Sequence, residues 1–399
     1  MQLQIKKLSE CCLSISDGDH QPPPKQDKGV PFITISNFNQ MNEISFENVM
    51  YVSEEYYEGL ADIKRVQEGD ILYSVVGSFG IPILIRKNER FVFQRHIAIL
   101  RPNRDIVLPE YLYYVLLNPD FYRLAEKYAI GAAQKTISLD SLRNIEIKIH
   151  PLEEQKRIVS KLVCIDDKIR NNTAINDNLS AMIDDIYCHT FLRTKHPNTW
   201  RIGKLSEVIS QINTGLNPRD NFVLGNGNIK YITVKNLTAN GTIDFTNCDT
   251  VDVTAQSIIH NRSDISVGDI LFASIAPLGR CYLINTEPKD WDINESVFSI
   301  RPNYQLISSE YLYSYFMSEY FVTKAQSSST GSIFKGIRIG TLLDMDIVIP
   351  PFDIVEQFTN TTKSLFRLKQ QCTDEAQQLI KLRNWLLPLL MNGQATIDD

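Results

Sequence analysis

The sequence predicts an α+β fold in which two similar domains, each a mixed sheet with helices, are separated by two long helices. We predict that the long helices form an antiparallel coiled coil and that the whole is an internal repeat with pseudo-twofold symmetry. Two observations predict this fold: sequence phrases recur at an offset that drifts only from 197 to 200 residues, and two long segments carry apolar residues about every 3.5 positions.

The repeat covers almost the entire chain. "KLSE" at Lys7–Glu10 returns at Lys204–Glu207, "GDILY" returns as "GDILF", and "RPN" is followed both times by "EYLY". A repeat unit of this length is a domain with its own core rather than one unit of a solenoid. We predict a first domain over residues 1–150, a central long helix over 151–194, a second domain over 195–350 and a C-terminal long helix over 351–393.

Within each copy, short β-rich runs alternate with turn residues. "FITIS", "DILYSVVG" and "FVFQRHIAIL" are separated by Gly, Asn and Asp, which is typical of strands and turns. The EYLY segments, from Glu110 and Glu310, predict a short helix that ends at Pro119 in the first copy, with tyrosines that pack in the core. A last alternating strand, "NIEIKIHP" or "MDIVIPP", stops at proline.

Each long helix carries a narrow apolar seam, which calls for a helix as its partner. The linkers allow a parallel or an antiparallel pairing, and we predict the antiparallel one. Asn172 and Asn176 on the first seam are predicted to fix its register. The predicted seam positions are Ile158, Leu162, Ile165, Ile169, Asn172, Asn176, Leu179, Ile183 and Ile186, and Phe358, Leu365, Leu368, Cys372, Leu379, Leu382 and Leu386.

The order of these phrases resembles the DNA-specificity subunit of type I restriction-modification systems. The first long helix begins with Pro151, Leu152, Glu154, Gln155 and Ile158 in the pattern P-L-x-E-Q-x-x-I. The second copy departs from it, with Phe352 for leucine and two extra residues before Glu356 and Gln357. The terminal "LRNWLLPLLMNGQATI" and the phrases "GDILY/F" and "YITVKNL" are also similar to segments of that subunit.

The resemblance implies that each domain is a target-recognition domain, which reads one half of an asymmetric, bipartite DNA site. It implies that the helices set the spacer and dock two methyltransferase subunits, which motor-nuclease subunits join in phage defence. The partner subunits would use S-adenosylmethionine, ATP and Mg²⁺, and this chain would need no cofactor. Seven cysteines without a Cys-x-x-Cys pair predict reduced thiols and a cytoplasmic protein. No apolar run approaches the ~20 residues needed to cross a bilayer, so we predict no membrane contact.

The sequence predicts neither a catalytic site nor a metal site. "NPDF" at Asn118–Phe121 has Asp120 where an amino-methyltransferase box has proline, so we interpret it as a helix end. Asp166 and Lys168 echo a nuclease site, but they are predicted to lie among solvated charges on the long helix. No Gly-x4-Gly-Lys-Ser/Thr loop is present, and Cys188-His189 has no second ligand pair nearby.

Neither domain is basic overall: residues 1–150 hold 17 Lys/Arg against 19 Asp/Glu, and residues 197–350 hold 12 against 15. DNA binding would therefore need cations clustered on one face. Polar residues in loops shared by both copies are the candidates, because such side chains read base edges. They are Lys25, Lys28, Ser36, Asn37, Ser78, Gln94, Arg95, Gln134 and Lys135, and Arg219, Lys230, Lys235, Asn236, Ser274, Arg280, Asn294, Ser332, Lys335 and Arg338.

Two other classes of function stay open from the sequence. The chain could be a coiled-coil scaffold that joins two ligand-binding domains without any role on DNA, which the net charge of −6 favours. It could also be a stand-alone DNA methyltransferase or nuclease, which the missing motifs disfavour.

Overall fold

The computed structural model describes residues 3–18, 23–39, 41–131, 134–193, 200–246, 248–327 and 336–395. The chain divides into two compact units, one formed by Met1–Ile169 with Gln378–Asp399 and the other by Arg170–Gln377. Each unit therefore combines one of the repeated domains with a stretch of both long helices.

Within its described residues, the first domain has nine strands in three sheets. A four-stranded antiparallel sheet has the order β2-β8-β5-β6, a three-stranded sheet β4-β3-β7 pairs β3 with β7 in parallel, and β1 pairs with β9. The strands are β1 (Gln4–Lys7), β2 (Cys12–Asp17), β3 (Val30–Ile33), β4 (Met50–Val52), β5 (Ile71–Ser74), β6 (Pro82–Leu84), β7 (Val92–Phe93), β8 (Ile97–Pro102) and β9 (Glu146–Ile149). The helices are α1 (Glu54–Glu58), α2 (Pro109–Leu117), α3 (Pro119–Tyr128) and α4 (Leu139–Asn144), with 3-10 turns at Leu8–Glu10, Ile35–Asn37 and Asp62–Lys64.

The first long helix, α5 (Leu152–Tyr187), continues into a π turn at Cys188–Arg193, and the second domain follows. Its strands are β10 (Arg201–Lys204), β11 (Ile209–Thr214), β12 (Ile229–Ile232), β13 (Asp249–Val251), β14 (Ile270–Ala273), β15 (Cys281–Leu283), β16 (Trp291–Ile293), β17 (Val297–Pro302) and β18 (Asp346–Ile349). Its helices are α6 (Leu205–Val208), α7 (Val253–Ser263), α8 (Ser309–Met317), α9 (Glu319–Ser327) and α10 (Ile339–Leu343), and the chain ends with α11 (Phe352–Met391).

The sheets of the second domain repeat those of the first: β11-β17-β14-β15, β13-β12-β16 with a parallel β12–β16 pair, and β10-β18. The predicted mixed α+β repeat is confirmed. One predicted strand is divided, because "FVFQRHIAIL" bends in a turn closed by the Ile97 N–H donating to the Gln94 carbonyl at 3.1 Å. Across the described ranges of the chain, no helix is both long and apolar enough to span a bilayer.

The repeated phrases GDIL and RPN meet in a buried ion pair. Arg101 Nε and Nη2 donate to the two carboxylate oxygens of Asp70 at 3.0 and 2.9 Å. Arg301 makes the same two-pronged contact with Asp269, at 2.8 Å for both hydrogen bonds. The aspartate also accepts the N–H of Gln67 or Ser266 at the preceding turn. The pair therefore joins β8 to the turn before β5 in the first domain, and β17 to the turn before β14 in the second.

The EYLY helices α2 and α8 lie in the core of each unit, as their tyrosines predicted. Tyr111 and Tyr311 are completely buried. The Tyr111 hydroxyl lies 2.7 Å from His150 Nδ1, and the Tyr311 hydroxyl donates to the Val348 carbonyl at 2.6 Å. The repeated phrase thus anchors the last strand of each domain where the long helix begins.

The long helices run antiparallel in each unit. In the first unit, Arg383 Nη1 donates to Asp166 at 3.0 Å, and Ile158 shares a core with Leu390. In the second unit, the rings of Tyr187 and Phe358 lie 6.0 Å apart. Within either unit, a later position on α5 packs against an earlier position on α11, as an antiparallel pair requires.

Asn172 and Asn176 are buried between the helices of the second unit. Asn172 Nδ2 donates to Glu375 at 2.9 Å, and Asn176 Nδ2 donates to the Thr373 hydroxyl at 2.9 Å. Both amides therefore bridge α5 to α11, whereas Asn176 Oδ1 has no hydrogen-bond partner. A buried amide that pairs only in one register is the feature expected of a position that specifies alignment.

The buried face of α11 differs from the predicted seam. Leu368 is 44% exposed and Leu382 is 42% exposed, whereas Thr362, Phe366 and Lys369 are buried. Leu365, Leu379 and Leu386 are half-buried, as are Ile165 and Ile186 on α5, where Asp166 and Tyr187 are buried instead. The prediction assumed a strict seven-residue spacing, and a straight helix turns away from such a stripe by about 20° per heptad.

Two further interpretations of the sequence are corrected. Asp166 is buried rather than solvated, because it accepts the Tyr114 hydroxyl at 2.7 Å in addition to Arg383. Asn118 ends α2 but also begins α3, since its side chain accepts the Asp120 N–H at 3.0 Å and Pro119 occupies the first helical position. The two extra residues before Glu356 do not shift the helix start, because α5 and α11 begin at Leu152 and Phe352, 200 positions apart.

The buried ion pair of the second domain predicts a large stability effect. Arg301→Met leaves the buried Asp269 carboxylate without its cation, and we expect the free energy of unfolding to fall by about 3 kcal/mol. Urea unfolding followed by tryptophan fluorescence measures it. Arg201→Met, which removes an exposed pair with Glu207, is the matched control and should leave the transition almost unchanged. Equal transitions for the two variants would contradict a structural role for Arg301.

Candidate nucleic-acid interface

Four loops of the first domain meet at one edge of its sheets. The Gln94 N–H donates to the Ile33 carbonyl at 3.1 Å, so the turn after β7 lies beside the end of β3. The Val75 N–H donates to the His96 carbonyl at 2.9 Å, and the Gly77 N–H donates to the Lys135 carbonyl at 3.1 Å. These bonds make a continuous first loop surface from residues 34–37, 75–80, 94–96 and 134–136.

The second domain builds the same edge. The Asn294 N–H donates to the Ile232 carbonyl at 2.9 Å, and the Ser274 N–H donates to Ser296 at 3.0 Å. The Ile337 N–H donates to the Ser274 carbonyl at 2.8 Å, which joins the turn before α10 to the end of β14. The second loop surface comprises residues 233–237, 274–280, 294–296 and 336–338.

A glycine at the end of the second strand of each domain, β2 or β11, allows close approach to this edge. A Cβ at Gly18 would collide with the Phe93 carbonyl oxygen, and a Cβ at Gly215 would collide with the Ile293 carbonyl oxygen. The repeat of Gly18 at Gly215 is thus explained by close backbone approach at the strand ends that carry the loop surfaces.

Three of the predicted DNA contacts are buried and serve the loops themselves. Asn37 Oδ1 accepts the Thr34 N–H at 3.0 Å, and Asn236 Oδ1 accepts the Thr233 N–H at 2.9 Å. The Ser274 hydroxyl donates to the Ser296 carbonyl at 2.8 Å. These side chains close turns inside the protein, which leaves the accessible positions as candidates for DNA contact.

The accessible candidates on the two loop surfaces differ in their exposure and partners. Lys135 pairs with Glu126, whose hydrogen bond raises the pKa of the lysine. Arg280 Nη1 donates to the Leu237 carbonyl at 2.8 Å, which spans two loops of the second surface. The exposed candidates are Ser36, Ser78, Arg95, Gln134, Lys235 and Arg338, and the half-buried ones are Gln94, Lys135, Arg280 and Asn294.

Four candidates lie away from the loop surfaces. Lys28 and Lys230 stand at the beginning of β3 and β12, whereas the loop surfaces follow the ends of these strands. A four-residue strand spans about 13 Å, so the two ends are separate places on each domain. Lys25 lies beside β4, where the Gln26 N–H donates to Tyr51, and Arg219 lies in the exposed loop between β11 and β12. Ser332 and Lys335 lie outside the described residues.

Sequence reasoning missed Glu295 on the second loop surface. It stands where the first domain has Arg95, since Gln94-Arg95-His96 corresponds to Asn294-Glu295-Ser296 at an offset of 200. Its Oε2 atom is buried without a hydrogen-bond partner. The alignment of the two copies shows this carboxylate opposite Arg95, but the sequence prediction included only cations and neutral polar residues as DNA contacts.

The described residues contain no group of three or more His, Cys, Asp or Glu side chains arranged to hold a metal ion. The loop surfaces instead offer hydrogen-bond donors and acceptors of both charges on a rigid strand edge. Such an edge can bind a polymer by surface contact.

Comparisons with known proteins agree with this architecture. A putative type I restriction enzyme MjaX specificity subunit of Methanocaldococcus jannaschii is 22% identical, over 99% of this chain and 94% of that protein. The type I restriction enzyme HindI specificity subunit of Haemophilus influenzae is 22% identical, over 83% of this chain and 87% of that protein.

A crystal structure of a type I restriction-modification S subunit from M. genitalium has the same fold. It superposes with a TM-score of 0.55 at 14% sequence identity and covers 100% of this chain and 97% of that one. The family described as the type I restriction modification DNA specificity domain matches residues 7–181 and again residues 197–378. Because both matches together span most of the sequence, the chain belongs to the type I restriction-modification DNA specificity family.

Proposed function

We propose that this chain is the sequence-reading subunit of a type I restriction-modification complex and that each loop surface reads one half of a bipartite DNA site. One observation carries the proposal: the two domains build the same strand edge but place different side chains on it. Equivalent backbones with unlike side chains are what an asymmetric site with two half-sites requires.

The chemistry of the loop surfaces fits this division. Arg95 is exposed on the first surface, and arginine pairs with the acceptor edge of guanine. Glu295 occupies the corresponding place on the second surface, and a carboxylate accepts from the cytosine amino group. Its unpaired Oε2 would gain a donor on binding, which offsets the cost of its burial. Arg338 and Lys235 add exposed cations for phosphates on the second surface.

The helix pair provides the spacer and the docking sites in this proposal. Large apolar side chains are exposed on the helices of each unit: Leu382 and Trp385 in the first, and Ile175, Met182 and Leu368 in the second. Exposed apolar side chains grouped on an element are typical of protein interfaces. We propose that they bind two methyltransferase subunits, to which motor-nuclease subunits are added.

Catalysis falls to the partner subunits in this proposal. They would use S-adenosylmethionine for methylation and ATP with Mg²⁺ for translocation and cleavage, and the complex would act in the cytoplasm. The reading domains would extend over residues 1–150 and 195–350, and the helices over 151–194 and 351–393. A test with pure chain and unmodified duplex should accordingly yield binding without methylation or cleavage.

Phosphate contacts on the loop surfaces predict salt-dependent binding. Lys235→Ala and Arg338→Ala should each weaken duplex binding and reduce the slope of log K against log salt by about 1. Lys87→Ala and Lys289→Ala, exposed cations before β7 and β16 at the opposite ends of these strands, are the matched controls. Binding measured by fluorescence anisotropy over a salt series decides it. Equal slopes for variants and controls would exclude the loop surfaces as the phosphate-binding face.

The division into half-sites predicts separable specificity changes. Arg95→Gln should relax one base in one half-site, and Glu295→Gln should relax one base in the other, each at about 1–3 kcal/mol of discrimination. Mapping methylated positions in DNA from cells that carry each variant with its partner subunits measures both. Changes that fall in the same half-site, or in neither, would contradict the assignment of one domain to each half.

The helix pair predicts the length of the unread spacer. Seven residues inserted into both α5 and α11 at facing positions lengthen the pair by about 10 Å, or about three base pairs. Methylation mapping should then show half-sites that are about three base pairs further apart. A control of unchanged length, with exposed residues of the same turns replaced, should keep the original spacer. An unchanged spacer in the lengthened protein would disprove the ruler.

A further inference from the structure

The second unit contains a cavity of ≈ 220 Å³ among α5, α8 and α11. Its lining combines apolar and polar side chains of three helices, all within that unit: Ser180, Ala181, Ile183, Asp184, Tyr313, Ser314, Met317 and Lys369. An apolar cavity of about 150 Å³ is known to hold a benzene molecule, so this one has room for a substituted single ring.

The internal repeat explains why the space is there. In the first unit the corresponding place holds Tyr114, whose hydroxyl donates to Asp166 at 2.7 Å, and Arg383 completes the triad at 3.0 Å. At an offset of 200, Tyr114 corresponds to Ser314, Asp166 to Phe366 and Arg383 to Ile183. The second unit therefore lacks a phenol ring and its hydrogen-bonding partners at this position.

One polar group on the cavity wall lacks a hydrogen-bond partner. Ser314 is 3% exposed, and its hydroxyl makes no hydrogen bond with the described residues. A buried hydroxyl without a partner costs free energy that a bound acceptor would recover. The same position in the first unit is fully bonded, so the unmet hydrogen bond is specific to this cavity.

Lys369 adds a buried positive charge to the same wall. It is 7% exposed, where the first unit has Ile169, and its ammonium contacts the Tyr313 hydroxyl at 3.4 Å. The charge of Asp177 acts on this ammonium, and the Asp184 carboxylate lines the same cavity. Burial lowers the pKa of Lys369 to about 8, which leaves the amine mostly protonated at neutral pH. A buried ammonium of this kind favours an anionic ligand.

We propose that this cavity binds a small aromatic carboxylate, with the ring in the space that Tyr114 fills in the other unit and the carboxylate on Lys369 and Ser314. Ile183, Ala181 and Met317 contact the ring, and the two donors bind the charged end. The ligand would brace α5, α8 and α11 as the Tyr114–Asp166–Arg383 triad braces the first unit. Binding to the folded state alone would also raise the stability of the second unit.

Sodium benzoate is the probe for this site in the purified full-length chain. We expect saturable binding by isothermal titration calorimetry and a rise in the melting temperature. Toluene tests the ring without the charge, acetate tests the charge without the ring, and both should bind at least tenfold more weakly than benzoate. Acetate binding as tight as benzoate binding, or no saturable benzoate binding at all, would overturn the proposal.

Two variants locate the bound probe. Ser314→Tyr restores the ring of the other unit and should abolish benzoate binding. Lys369→Met keeps the volume of the site but removes the charge, and should weaken benzoate by at least tenfold while leaving toluene binding unchanged. Circular dichroism checks the fold of both, and Lys369→Met decides the matter where Ser314→Tyr does not fold. Benzoate affinity that is unaltered in a folded variant would place the probe elsewhere and overturn the assignment. DNA binding is not part of either readout, so the result stands apart from the proposed function.

Discussion

The structure depends on the packing of the two long helices against each other, because the apolar face of each is too narrow to be buried without a helix as its partner. Within each unit, one stretch of α5 and one stretch of α11 share a core with the EYLY helix of the adjoining domain. Ile158 and Leu162 enter the first core with Leu387 and Leu390, and Ile183 enters the second with Phe358. Both long helices therefore contribute residues to both units, and the core of each domain contains side chains from both of them.

The repeated phrases were the most informative part of the sequence, and the structure gives each a physical reason. Asp70 and Arg101, far apart in the chain, were repeated because they form one buried ion pair. Tyr111 and Tyr311 were repeated because they bind the end of the last strand. Residues constrained by a shared backbone recur in both copies. The α+β class, the repeat and the paired helices could therefore be predicted from the sequence.

Other features could not be predicted from the sequence, because they depend on a shift of one residue along a helix or on contacts within a loop. Moving one position along a helix rotates a side chain by about 100°, so Phe366 is buried while Leu365 is half-buried and Leu368 is exposed. The contacts of loop residues are harder to predict than the buried face of a helix. Asn37 and Asn236 have the composition expected of base-reading groups, but Asx side chains also close their own turns, and here they do so. Asp166 looked solvated because its partners Tyr114 and Arg383 are distant in sequence.

The positions at which the two copies differ fall into two groups, those on the loop surfaces and those in the interior. On the loop surfaces, Arg95 and Glu295 occupy equivalent backbone positions at the strand edge, where divergence leaves the scaffold intact. In the interior, the Tyr114–Asp166–Arg383 triad has given way to Ser314, Phe366 and Ile183, with Lys369 beside them. Phe366 and Ile183 keep the helix contact apolar, so loss of the triad alone would be met by a larger side chain at position 314. A short serine and a buried lysine do the opposite, since the serine leaves space and an unpaired hydroxyl and the lysine adds a buried charge. That combination disfavours simple relaxation of a duplicated core and favours a site whose missing partner is supplied from outside the chain.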